Sequence, residues 1–315
     1  MNSASKAGNP AMTDLVHAPQ WHPQGSVRAN IIICHGMAEH GARYARLASN
    51  LTPEGIAVYA PNLRGHGPQA EAKPGQLPGG WLTLESDLLH WVNEVRALYP
   101  DAPLMLLGHS MGSYLVQGFL LKHSALIDAV ILSGSNAHPP ALSWFGRIAA
   151  QIEGRFRAPD APAQTLGKLS FGQFNKAFAP NRTEFDWLSR DTAEVDAYIN
   201  DPLCGFTLTA TYWRGLFSTL LRIADKQQLA NIKAGLPILI IGGENDPVSA
   251  GDGLRKLQQR LQQAQLQRVE LVLYPQARHE IFNEINKDQV TSDTLNWIMT
   301  TLSLNTIENP ADENA

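Results

Sequence analysis

Pro103-Leu-Met-Leu-Leu-Gly108-His-Ser110-Met-Gly112-Ser-Tyr-Leu-Val-Gln-Gly-Phe-Leu-Leu-Lys122 joins two patterns across five residues. Leu104 to Leu107 is an apolar run of the length of a buried strand. From Ser113 the pattern turns helical, with Leu115, Phe119 and Lys122 spaced along one face and its neighbours. Between them, Gly108-His109-Ser110-Met111-Gly112 matches G-x-S-x-G. That spacing suits a very tight strand-to-helix turn. The serine occupies the apex in a strained conformation, and small residues two positions either side let strand and helix approach. The hydroxyl is lifted into the open. The backbone N–H of Met111 falls at a helix N-terminus, aimed at any anion formed beside the serine. The alternative is a buried turn with a serine helix cap. The strand before and the helix after supply the context that a nucleophile requires.

At 315 residues the chain can hold one α/β domain with an insertion, or two small domains. It is 44% hydrophobic and 17% charged, a globular composition that can bury a sizeable core. A net charge of −4 gives no basic footprint for nucleic acid. Cys34 and Cys204 have neither metal nor redox spacing, and Cys34 reads as a small core residue. No stretch reaches the length of a transmembrane span, and Met1 to Gln20 carries no signal-peptide run. The expectation is a cytoplasmic protein.

Strand and helix patterns alternate along the first part of the chain. Strands are expected at 27–34, 56–60, 104–107 and 128–133, with helices over 42–51, 83–99 (Thr83 as N-cap) and after Gly112. Alternation resumes with a strand from Leu236, a helix from about Ser249 to Gln265, a strand at 269–274 and a closing helix over 287–302. This predicts a mostly parallel central sheet flanked by helices. Residues 135–235 break the pattern with helical patches and Pro-rich turns. They read as a mainly helical cap inserted between core segments 26–134 and 236–302. Residues 1–25 and 303–315 read as a poorly ordered extension and a flexible tail. The insertion holds more than half of the chain's aromatics in a third of its length. Those side chains can form the cap's own core, line an apolar pocket over the serine, or do both.

In a parallel sheet the loops after the strand C-termini share one edge, where ligands bind. His279 follows the last strand, so its imidazole can take the Ser110 proton and return it to the leaving group. Asp246, in Gly242-Gly243-Glu244-Asn245-Asp246-Pro247, follows another strand and can orient that imidazole. Glu244 is the rival; Asp246 is favoured because Pro247 begins the next helix and fixes the carboxylate at its entrance. Glu280 and Glu284 lie on the wrong side to orient the ring. The order Ser, Asp, His is that of α/β-hydrolases. The turn at His35-Gly36 is expected to supply the Met37 N–H as a second oxyanion donor beside Met111. His35, Glu39 and His40 match no metal-ligand spacing, so no metal and no cofactor is expected. Arg64 and His66 read as braces for the loop edge.

These residues together resemble the α/β-hydrolases of the monoacylglycerol lipase and lysophospholipase group, also filed as serine aminopeptidase-like hydrolases. The resemblance runs over roughly 27–302. It rests on His35-Gly-Met-Ala-Glu39-His40, Arg64-Gly65-His66-Gly67, Gly108-His-Ser-Met-Gly112, Asn245-Asp246-Pro247-Val248 and His279-Glu280, and on the stretch from Ser189-Arg190-Asp191 to Asp201-Pro-Leu-Cys-Gly-Phe206. Asn62 departs from the Asp that many relatives carry before the Arg-Gly-His-Gly loop. By position, the resemblance implies Ser110 as nucleophile, Asp246 as acid, His279 as base and Met37 and Met111 as oxyanion amides. It also implies an apolar acyl tunnel under the cap and a single-chain lipid ester as substrate. The charge balance leaves room for transient contact of the cap with a membrane surface, since a neutral apolar rim can dock there. The alternatives are a general short-chain carboxylesterase, a prolyl-type aminopeptidase, or a catalytically silent binding protein. The peptidase would need an acidic cluster for a substrate amine, with candidates Glu184, Asp186, Asp191, Glu194, Asp196 and Asp201.

Overall fold

The computed structural model describes residues 15–68, 73–156, 161–249 and 251–304. Seven strands form one sheet: β1 Gln20–Trp21, β2 Ala29–Cys34, β3 Ile56–Tyr59, β4 Leu104–His109, β5 Ala129–Ser133, β6 Ile238–Gly243 and β7 Val269–Tyr274. Their spatial order is β1-β3-β2-β4-β5-β6-β7. Strands β2 to β7 pair in parallel, and β1 pairs antiparallel with β3. The six parallel strands lie where the apolar runs predict them.

Of the stretch 1–25, expected to lack order, residues 1–14 lie outside the described residues. The remainder corrects the expectation: a 3-10 turn, Leu15–His17, leads into β1, with Gln20 paired to Tyr59. Two residues are too few for any period to register, and the pairing comes from the sheet edge that β3 offers. Residues 305–315 of the expected tail also lie outside the described residues.

Both faces of the sheet are covered, so its strands read as continuous apolar runs rather than alternating ones. Ile32, Leu106, Leu132 and Ile240 point to the face covered by α2 (Trp81–Leu98), α3 (Met111–His123) and α9 (Gly253–Gln263). Ile31, Ile33, Leu107 and Ile241 point to the face covered by α1 (Ala45–Leu51) and α10 (Lys287–Thr301). Thr83 is not the N-cap of α2. The helix starts at Trp81 after Gly80, and the Thr83 hydroxyl donates back to the Gly80 carbonyl at 2.6 Å.

Between β5 and β6 the chain leaves the sheet and builds α4 (Pro140–Phe156), α5 (Gln164–Phe174), α6 (Thr192–Asn200), α7 (Ala210–Arg222) and the short α8 (Lys226–Leu229). Register brings the strand ends level. Cys34 lies beside Gly108, His109 beside Ser133, Ser133 beside Ile241, and Gly243 beside Tyr274. The chain runs from β2 outward to β3 and returns to β4 on the other side. The loops after β2 and β4 therefore flank the point where strand order reverses, the place where open parallel sheets leave a crevice.

Candidate active site

Ser110 sits between β4 and α3 with φ 50° and ψ −118°, a conformation costly for a residue with a side chain. Close packing imposes the turn. A Cβ on Gly108 would lie 2.6 Å from the Gly112 carbonyl oxygen, and one on Gly112 would lie 2.0 Å from that of Cys34. The Ser110 N–H donates to the Ser133 carbonyl (2.9 Å), which ties the apex to β5. Beneath it, the Ser113 hydroxyl donates to the Ser110 carbonyl (2.6 Å) and contacts Ser135 (2.8 Å). Met111 opens α3, where N–H groups have no intrahelical partner.

Asp246 and His279 meet from the loops after β6 and β7. Nδ1 of His279 lies 3.0 Å from each Asp246 carboxylate oxygen, and both residues are buried. Because the carboxylate accepts, Nδ1 carries the proton and Nε2 keeps a lone pair. Burial opposes charge on the ring, but the Asp246 carboxylate outweighs it and lifts His279 above the ordinary imidazole value. The reason first offered for Asp246 needs correction. Pro247 does not open a helix, since α9 starts at Gly253. Asp246 is fixed instead by a local turn in which its Oδ1 accepts the Val248 N–H at 2.8 Å. Glu244 is exposed.

The loop after β2 is held on nearly every side. His35 donates from Nδ1 to the Gly36 carbonyl (2.8 Å) and accepts the Leu63 N–H at Nε2 (3.0 Å). Glu39 accepts the Gly36 N–H and the Tyr44 hydroxyl. His66 accepts the Ala38 N–H (3.1 Å), so it braces the loop directly. Burial pushes His35 and His66 down to about 3, which keeps both neutral and able to accept. The planar peptide joining Gly36 to Met37 is thereby fixed. With its carbonyl turned to His35, its N–H lies on the opposite edge. Arg64 pairs with Asp87 at 2.6 and 2.8 Å. Asn62, where many relatives carry Asp, accepts the Gly41 N–H at Oδ1 (2.9 Å) and so braces the loop. The three residues weighed for a metal point apart: His35 to Gly36 and Leu63, Glu39 to Gly36, Arg43 and Tyr44, and His40 to Asp201 (2.8 Å).

Ser110, His279, Met37 and His109 all line one cavity of about 690 Å³. His109 is anchored to the Ser133 hydroxyl (3.1 Å), with its ring centre 4.8 Å from that of His279. The structure divides the aromatics of the inserted segment, a division composition alone left open. Phe185, Trp187, Tyr198, Phe206 and Trp213 line the cavity. Tyr212 is core, Phe174 and Phe178 pack around Trp187, and Trp144, Phe145 and Phe156 are exposed. Phe171 belongs to side chains outside the description. The segment grips the His279 loop by a backbone bond and an ion pair: the Glu280 N–H donates to Leu188 O (2.8 Å), and Arg190 pairs with Glu284 (2.9 Å).

A strained serine, an imidazole backed by a buried carboxylate and a fixed loop peptide thus come together at one cavity. The family model for the serine aminopeptidases, S33, matches residues 25–286. The chain belongs to that family. It is 30% identical over 290 residues to a monoacylglycerol lipase of Mycolicibacterium smegmatis, covering 90% of this chain and 92% of that one. It is also 30% identical to the monoglyceride lipase of Rattus norvegicus, with 90% and 85% covered. Among solved structures, a thermostable carboxyl esterase from Bacillus coagulans superposes with TM-score 0.79 at 25% identity, over 90% of this chain and 93% of that one. A soluble variant of the Saccharomyces cerevisiae monoglyceride lipase shares the fold at TM-score 0.70 and 21% identity, with 92% and 91% covered.

Three site residues escaped the reading of the sequence. Arg43, Tyr44 and Tyr198 all hold the loop after β2. Arg43 and Tyr44 follow closely on Glu39 and His40, and a cation four residues after a glutamate was the available signal. Tyr198 lies about 160 residues further on, where only the fold shows the contact.

Proposed function

We propose that this protein is a serine hydrolase of single-chain lipid esters, monoacylglycerols or lysophospholipids, with residues 135–235 acting as a cap on a core formed by 26–134 and 236–302. The supporting observation is that Ser110 and His279 line one cavity under aromatic side chains, with Asp246 bonded to His279 from behind. Its volume suits a long acyl chain, and family relatives bear the names monoacylglycerol lipase and monoglyceride lipase.

The reaction has two steps. Nε2 of His279 takes the Ser110 proton as Oγ attacks the ester carbonyl, and Asp246 stabilises the imidazolium. The tetrahedral oxyanion is held by the N–H groups of Met37 and Met111; loss of one such donor typically costs about 2.7–4 kcal/mol in the transition state. The imidazolium protonates the leaving alkoxide. Water, deprotonated by His279, then cleaves the acyl-serine, and the proton returns to Ser110.

Against the amide reading, five of the six acidic candidates for a substrate amine already have partners. Asp186 accepts from Arg182 and Thr183, Asp191 and Glu194 pair with Lys287, Asp196 with Arg182, and Asp201 with His40. Of the six acidic candidates, only Glu184 lines the cavity.

We assign the membrane contact to α4. Leu142, Phe145, Ile152 and Phe156 fall on one helical face and are 52–83% exposed. Arg147 and Arg155 stand elsewhere on the same helix, a composition that suits an anionic lipid surface. Among the described residues no helix is long and apolar enough to cross a membrane.

The test is hydrolysis by wild type and Ser110→Ala of short and long 1-monoacylglycerols, a lysophosphatidylcholine and a proline amide. Long monoesters are cleaved, the amide is not, and Ser110→Ala lowers kcat by on the order of 10⁴–10⁶. Turnover of short esters alone makes the protein a general carboxylesterase. Equal inertness of both proteins points to a binding role.

A further inference from the structure

Arg43, in the 3-10 turn Gly41–Tyr44, is largely buried beside the site. Its Nη1 donates to Glu39 Oε2 at 2.7 Å and to Glu280 Oε1 at 2.8 Å, and Nη2 donates to Glu280 Oε2 at 2.7 Å. Each carboxylate leads to a different working part. Glu39 holds the Gly36 N–H, one bond before the peptide that presents the Met37 amide. Glu280 is the residue after His279 and is bonded through its own N–H to Leu188 of the inserted segment. The guanidinium also lies 4.9 Å from the ring centre of Tyr198 on α6, whose hydroxyl donates to the Ala38 carbonyl at 3.0 Å. One planar cation thus touches the supports of the oxyanion loop, the base loop and the cap.

This is more than the fold needs. Two buried carboxylates against one guanidinium leave an excess negative charge, and a lone pair would have closed the contact. The bidentate fork fixes Glu280 in plane, and the remaining Nη1 contact fixes Glu39 relative to it. We propose that Arg43 is a positioning residue for acyl transfer, holding the Met37 amide and the His279 imidazole in one frame and setting how much carboxylate charge reaches the imidazolium.

This role rests on the serine-hydrolase reading. The groups facing His279 are Asp246 from the loop after β6, Glu280 from its own loop, Glu39 from the loop after β2, His109 at the end of β4 and, uncharged, Trp187 from the inserted segment. Burial works against both Glu39 and Glu280 ionising, and the Arg43 guanidinium outweighs it, keeping them charged. Both carboxylates favour the protonated ring. Arg43 partly cancels them.

The experiment measures kcat, KM and the acid limb of the pH–rate profile with a short p-nitrophenyl ester. Activity is expressed per active site titrated with a fluorophosphonate, so lost protein does not count as lost rate. Arg43→Lys keeps the charge but cannot offer the same fork to two carboxylates. It lowers kcat about 10–100-fold with KM within about twofold, the pattern of an interaction made in the transition state. Glu280→Gln leaves Arg43 paired with Glu39 and moves the acid limb to lower pH. A structural role alone reduces the titrated sites and moves neither kcat per site nor the limb. Wild-type kcat per site in Arg43→Lys together with an unmoved limb in Glu280→Gln overturns the proposal. The soluble ester separates this outcome from the lipid assignment, which fails independently if long monoesters are not cleaved while the p-nitrophenyl ester is.

Discussion

The edge formed by the strand ends and the helical segment inserted above it solve opposite problems. At the edge, every part is fixed: Ser110 to Ser133, His279 to Asp246, Gly36 to His35 and Glu39. The segment is fixed where it meets that edge, at Leu188, Arg190 and Tyr198, and leaves an apolar face of α4 uncovered. Position matters at the edge, because a transition state tolerates little misplacement. Surface chemistry matters on α4 if its exposed face is the docking surface proposed above. Substitutions at the edge should therefore cost rate at little change in substrate preference. Substitutions on α4 should alter where the substrate can be presented and leave the chemistry alone.

The largest effect expected lies at the edge. In Asp246→Asn the Val248 N–H still finds Oδ1, so the side chain keeps its orientation. The amide then presents an N–H donor to Nδ1. The ring must carry its proton on Nε2, the nitrogen needed to accept from Ser110. The expected loss in kcat is about 10⁴-fold at neutral pH with unchanged near-ultraviolet circular dichroism. A loss below tenfold would show that Asp246 is not the orienting acid. Glu280→Gln removes a carboxylate that is bonded to Arg43 and not to Nδ1, so it should move the acid limb without a loss of this size at neutral pH.

How much of this was legible in the sequence follows from the same contrast. The six parallel strands and Ser110, Asp246 and His279 could be placed because local signals carry them. Buried strands are apolar runs, and strand-end loops hold the residues that follow those runs. Ser110 also carries its own steric signature in Gly108 and Gly112. What failed to show was whatever depends on contacts between distant segments. Gln20–Trp21 becomes a strand only because β3 offers an edge. Arg43 acquires a role only because Glu280, more than two hundred residues later, arrives beside it. The aromatics of the insertion could be counted but not divided, since Trp187 facing the cavity and Phe156 facing solvent are equal in composition. Asp246 was reached by an argument about Pro247 that the structure does not support; an Asx turn, not a helix start, holds it.

A smaller effect separates stability from chemistry at the same edge. His35 and His66 are buried neutral and titrate near 3, and His109 near 4, all chiefly because burial disfavours their charged forms. The unfolded chain binds protons on such groups near the ordinary value of about 6.5. Their contribution is therefore whole above that value and is lost as pH falls toward 3–4, by up to roughly 1.36 kcal/mol per pH unit for each imidazole. His279 has the opposite sign, because its folded value is raised: its contribution is present below about 6.5 and is lost as pH rises through the folded value. Urea denaturation between pH 7 and 5 should show a falling free energy, with a shallower slope in His66→Gln, which keeps an acceptor for Ala38. Equal slopes in the two proteins would mean that His66 is already protonated in the folded state.

The smallest effect on the protein itself is expected on α4, where it tests the contrast most sharply. Phe145 and Phe156 are 63% and 83% exposed, so their replacement opens no cavity. In the double variant Phe145→Ser, Phe156→Ser, folding stability should stay within about 0.5 kcal/mol of wild type. Neither side chain lines the 690 Å³ cavity, so turnover of a soluble short ester should be unchanged. Burying an aromatic side chain of this size in an apolar phase is worth about 1.5–3 kcal/mol, and every 1.4 kcal/mol is a factor of ten. Even half-burial of both rings at a lipid surface predicts at least a tenfold weaker association with vesicles of zwitterionic and anionic phospholipid. Hydrolysis of a long-chain monoester carried in those vesicles should fall with it. Were the soluble ester and the vesicle-borne ester to decline together, the stripe would belong to the working of the site, and the division between a positioning edge and a docking segment would be wrong. A fall in vesicle-borne hydrolysis alone assigns α4 to presenting the substrate and leaves the chemistry to the strand ends.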